Sequence, residues 1–161
     1  MSNHRTFKRT TILNEVREGE TVEVENGNLT IGGRVGRDAT IIQRGKGRVF
    51  IGAGTDWNVT IDAEGDIEGV SFSYNNKIKS RSGNITARQG FGGSNKVEAK
   101  NGTVAGQDAL SNCKITAREV RINEVKGDNV RIRELGREKG RIKSFVDRVK
   151  NCGHEERGQS R

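Results

Sequence analysis

Short triplets of the form apolar, polar, apolar run along the chain: Leu29-Thr30-Ile31, Val59-Thr60-Ile61, Ile85-Thr86-Ala87, Ile115-Thr116-Ala117 and Val130-Arg131-Ile132. Alternation with a period of two puts the outer members on one side of a strand and the middle member on the other. Each triplet therefore predicts a short strand with two inward side chains. The triplets also recur. Ile31, Val49, Ile67, Ile85, Val104 and Ile122 follow one another at steps of 18 or 19, and Ile41, Val59, Ile78, Val97, Ile115 and Ile132 at steps of 17 to 19. Ala53, Phe72, Phe91 and Leu110 form a third row, at 19 each time. Self-similarity at such a period marks a repeat architecture. Three strands of about six residues close one triangular coil, and stacking the coils pairs each strand with its equivalent in the next. The predicted fold is all-β, a single-stranded triangular parallel β-helix, or β-solenoid, of about six coils of 18 to 19 residues.

Positions outside the core keep the same beat. Gly47, Gly65, Gly83 and Gly102 each sit two residues before a first-row member, and Asn58, Asn76, Asn95, Asn112 and Asn129 lie one to three residues before the second row. Gly and Asn tolerate positive φ, and stacked Asn amides can pair from layer to layer, so these positions read as corners.

The repeat divides the chain into a solenoid over 18–135 and flanking segments. Residues 1–17 read as an N-terminal tail or cap, with Phe7, Ile12, Leu13 and Val16 beside Arg5, Lys8 and Arg9. That segment either folds over the first coil or makes a weak lipid contact. In 136–150, Ile142, Phe145, Val146 and Val149 fall at i, i+3, i+4 and i+7, one stripe of a short amphipathic helix that would cap the last coil. Arg141, Lys143, Arg148 and Lys150 around the stripe allow a membrane-surface or partner-binding helix instead. Residues 151–161 read as a disordered polar tail.

Composition agrees with a thin core. The 161 residues include 13 Ile and 14 Val against 4 Leu, the bias of strands, and only 30% are hydrophobic. No apolar run approaches the ~20 residues that span a bilayer, and no apolar stretch follows the basic N-terminus, so a soluble, cytoplasmic chain is expected. Cys113 and Cys152 are too few and too far apart to form a disulfide framework or a metal site.

Charge adds two features. Residues 15–69 carry 6 basic and 11 acidic groups, 70–106 carry 6 and 1, and 113–161 carry 14 and 8. Early coils are thus acidic and late coils basic, which favours head-to-tail contact that salt weakens. The second feature is finer. Lys77, Lys96, Lys114 and Arg131 each immediately precede a second-row residue, so all four should point outward from one face in successive layers. Like charges at about 4.8 Å repel, and a polyanion, whether nucleic acid, an acidic glycan or anionic lipid, would relieve them. Lys79 and Arg133 broaden this ladder and Glu98 interrupts it. Phe50, between inward Val49 and Ile51, should face outward as a candidate lateral contact between rods.

Catalytic chemistry finds little support. His4 and His154 both lie in the flanking segments, so the coils hold no His to serve as the base of a hexapeptide-type acyltransferase or of a Ser, His and acid set. Asp66 and Glu68 share an outer face but read as solvated surface rather than as a glycosidase pair. The sequence predicts no catalysis, no small-molecule substrate, no metal and no cofactor.

The 18-residue coil, the count of about six, and the segments 33–36 (GRVG) and 65–69 (GDIEG) resemble the bactofilins, bacterial cytoskeletal proteins, over roughly residues 22–135. The resemblance implies a right-handed triangular β-helix. It further implies head-to-tail polymerisation into nonpolar filaments without nucleotide, often with a terminal tail at the membrane. The chain departs from the family where its Gly signature fades after Gly106 and in its basic C-terminal part. Together these readings predict a structural scaffold that self-associates into an oligomer or polymer, with polyanion binding as the alternative and an acyltransferase third.

Overall fold

The computed structural model describes residues 3–136. Within them the chain is a parallel β-solenoid with three faces, and every strand pairing is parallel. The first face stacks His4–Phe7, Thr21–Val24, Thr40–Gln43, Thr60–Ala63, Lys77–Ser80, the starts of Lys96–Ala109 and Lys114–Val125, and Arg131–Glu134. The second stacks Thr11–Leu13, Leu29–Ile31, Val49–Ile51, the starts of Ile67–Phe72 and Ile85–Phe91, and the middles of the two long strands. The third is narrow: Val16 bridges to Val35, and Arg34–Val35, Gly54–Thr55 and the ends of the later strands follow.

The count is about seven turns rather than six, because residues 4–16 form a turn of their own. His4 to Phe7 pair with Thr21 to Val24, and Thr11 to Leu13 with Leu29 to Ile31. The expected capping helix, with Ile142, Phe145, Val146 and Val149, and the tail after it lie outside the described residues.

The expected rows hold in the middle of the rod and shift near the corners. Ile61, not Val59, continues the second row, which reads Val22, Ile41, Ile61, Ile78, Val97, Ile115, Ile132. In the first row Leu29 precedes Val49 and Val120 follows Val104. The third row is Val35, Thr55, Phe72, Phe91, Ala109, Val125, whereas Ala53 is exposed and Leu110 half-buried. An apolar residue beside a corner fits the period as well as the row member does: Val59, Ile31 and Ile122 are themselves buried next to the rows, whereas Ala53 and Leu110 fall past the turning point. Phe72 and Phe91 are the largest fully buried side chains of the described core. Their rings stack at 5.6 Å and 11°. Gly69 and Gly106 leave the space those rings occupy, since a Cβ at either position would touch them.

The corners use Gly and Asn for different reasons. Gly65, Gly83 and Gly102 have no positive φ; each lies so close to the turn before it that a Cβ would strike backbone there. At the corner between the third and first faces one residue per turn has φ near +60°: Gly19, Asp38, Asn58, Asn75, Ser94, Asn112 and Asn129. The following residue points inward. In the middle turns it is Asn76 or Asn95, so these two belong to an interior ladder and not to the positive-φ column expected for them. Asn95 Oδ1 accepts from Asn76 N at 2.8 Å, and Asn76 Oδ1 accepts from Val59 N at 2.8 Å.

Candidate functional site

On the first face, parallel pairing leaves alternate residues outward, and the register joins Lys77 to Lys96, Lys96 to Lys114 and Lys114 to Arg131. All four are exposed. The expected ladder is therefore an unbroken column of four cations over about 14 Å. In the earlier turns the same column holds His4, Thr21, Thr40 and Thr60. Among the described residues no carboxylate lies within ion-pair distance of the four cations.

The neighbouring outward column behaves differently. Lys79, expected to widen the ladder, pairs with Glu98 at 3.8 Å, and Lys100 reaches the same carboxylate at 3.6 Å. Arg133 is exposed two residues from Arg131. Further back Asp62 is held by Arg81 at 3.0 Å and Arg44 at 3.2 Å. Burial pushes the Asp62 carboxyl up, but the hydrogen bonds from Arg81 and Arg44 outweigh it and hold the group below its ordinary range.

Two exposed aromatic rings flank the start of the ladder, a pairing the spacing rules did not anticipate. Trp57 and Tyr74, 58% and 50% exposed, meet edge to face at 6.4 Å. Each directly precedes a positive-φ corner residue, Asn58 or Asn75, and that shared position is the sequence signal that brings them together. The corner side chains below them are tied in series, Asn75 Nδ2 to Asn58 Oδ1 at 2.5 Å and Asn58 Nδ2 to Asp38 Oδ1 at 3.0 Å. Phe50 faces outward on the second face between Thr30 and Glu68. It is half-buried, with the Arg88 guanidinium 5.8 Å from its ring centroid and bonded to Glu68.

A second candidate region is the open N-terminal end. Thr11 N donates to Asn28 O, and Gly32 N donates to Leu13 O. In a parallel ladder the intervening residue turns its N–H and C=O the other way, so those of Ile12 lie on the free edge of the first turn. Its side chain is 76% exposed. Among the described residues no strand pairs with that edge. A mouth of about 690 Å³ opens there, lined by Arg5, Leu13, Asn14, Arg17 and Glu20. Glu20 is nearly buried, ion-paired to Arg5 and accepting from Arg17 N at 2.9 Å.

Among the described residues, the remaining reactive groups singled out by the sequence are committed to structural contacts. His4 lies 3.5 Å from Glu23 on the first turn. Asp66 accepts from Asn84 N at 2.7 Å, and Glu68 pairs with Arg88, so the two acids are bound to different partners. Cys113 is buried and donates to Gly92 O at 2.8 Å, and burial pushes its thiol up. Among the described residues no three His, Cys, Asp or Glu side chains are grouped to hold a metal, and no helix is long and apolar enough to cross a membrane. Compared with protein-family models, with curated proteins and with solved structures, the chain matches none.

Proposed function

We propose that this chain is a non-enzymatic, bactofilin-like cytoplasmic scaffold whose copies join end to end through their terminal turns. The free edge of the first turn carries the reading. An edge strand with unpaired N–H and C=O groups is a template for another chain. Ile12 supplies both groups, and Phe7 and Leu13 beneath it are only partly buried. At the other end of the described rod Val120, Val125 and Ile132 are likewise only partly buried against the core. Joining one end to the other continues both the strand register and the apolar column. Such a contact is heterologous, and when its rotation does not close a ring it gives an open filament.

Negative-stain microscopy of the full chain at low and high salt tests this. The parent is expected to form rods many protomers long that shorten as salt rises. Ile12→Pro removes a donor that faces away from the solenoid, so it should fold and remain dispersed. Dispersed single particles of the parent under every condition would overturn the proposal.

A further inference from the structure

The charge on the first face has a use beyond self-association. We infer that the C-terminal half of this face is a docking surface for an anionic lipid bilayer, engaged by Lys77, Lys96, Lys114 and Arg131 and bordered by Trp57 and Tyr74. Four cations stand in register with no carboxylate among the described residues to neutralise them, on a face of parallel strands stacked turn on turn. Of the outward positions on these rungs only Glu98 is acidic, and Lys79 and Lys100 enclose it. Stacked like charges oppose folding, so an arrangement that preserves them in four successive layers points to an external counter-charge.

The shape of the site selects a surface over a linear polymer. A polymer is held by walls, and two cavities among the described residues lie away from the ladder, at the N-terminal mouth and at the Gly45 to Gly47 corner. Duplex phosphates wind away from a straight column, and a single strand calls for rings spaced along its path, whereas both rings here sit at one end of the ladder. A bilayer is flat. Lys heads on flexible stems adapt to headgroups without fixed geometry, and three of the four cations are Lys. Trp and Tyr are the residues that favour the level of the headgroups, and the corner that carries them adjoins the charged face. Each surface cation contributes roughly a fivefold gain in binding to an anionic leaflet, so the four together supply several hundred fold.

Sedimentation with phosphatidylcholine vesicles that do or do not contain phosphatidylglycerol reads this directly, using the full chain. Binding is expected only to the anionic vesicles and should fall with salt. Replacing the ladder with K77Q, K96Q, K114Q and R131Q should lower it several hundred fold. Circular dichroism melting of that variant should show a fold at least as stable as the parent, which separates lost binding from lost structure. W57A with Y74A should weaken binding to the anionic vesicles at low and at high salt alike, whereas K8Q with R9Q, off the face, should leave it unchanged. Undiminished binding by the four-Gln variant would place the contact in the terminal segments and overturn the inference. Tighter retention on heparin or on single-stranded DNA than on vesicles would overturn it too, in favour of a linear polyanion. Ile12→Pro should bind vesicles through the same face, so failure of end-to-end joining leaves this outcome readable.

Discussion

Asn95 uses every polar atom of its side chain: Oδ1 accepts from Asn76 N, and Nδ2 donates to the carbonyls of Phe72, Ser73 and Gly92 at 2.8 to 3.1 Å. Removing the amide takes the partner from Asn76 N and from the Ser73 carbonyl, at a cost of about 1–3 kcal/mol, while Phe72 O keeps Gly92 N and Gly92 O keeps the Cys113 thiol. Asn95→Ala should therefore lower the midpoint of urea unfolding markedly. Asn75→Gly, at an exposed position with φ of 58°, should leave the midpoint nearly unchanged, because Gly takes that conformation without penalty. The period of Asn was legible in the sequence, but its division into an outward column and an inward one was not. Asn75 and Asn76 are adjacent and identical, and only the position of the bend assigns one to solvent and the other to the core. Trp57 and Tyr74 illustrate the same point for the candidate site: each stands beside a corner Asn, while their contact depends on which turns are neighbours.

Stacked turns are tied together by contacts about one period apart in sequence, and the Asp62 cluster is the clearest case, with Arg81 one turn ahead and Arg44 one turn behind. Because the folded Asp62 carboxyl titrates below its unfolded value of ~3.9, its stabilisation is complete above that pH and is lost as pH falls through the lower folded value. Asp62→Asn should thus be less stable than the parent at neutral pH, and the gap should close on acidification below about pH 4, measured by thermal melting across pH. The strands of the middle turns were legible because two inward apolar residues bracket one polar residue. The first turn was not, because Thr11-Ile12-Leu13 breaks that pattern and turns Ile12 outward. A turn at the end of a stack has a neighbour on one side only, so its composition is freed from the rule that the interior turns obey.

For the whole molecule, the proposed end-to-end joining would couple stability to concentration. A partner that binds only the folded chain stabilises it by mass action. The thermal midpoint of the parent should rise with protein concentration at low salt, and that of Ile12→Pro should not, as differential scanning calorimetry would show. The fold class was open to sequence reasoning because a one-dimensional stack repeats its instructions in every turn. Function was less so, since both candidate surfaces arise from what differs between turns: an edge at one end and a run of cations in the last four. The unbroken parallel register has a further consequence. With each turn touching only the turns beside it, a whole repeat can be added or deleted without altering either end, so the rod's length changes in integer steps of about 4.8 Å. A deletion in the early turns would shorten the neutral part of the Lys77 column and keep all four cations, while one in the late turns would remove a single charge. Span and surface charge are therefore separately adjustable quantities, each counted in whole turns.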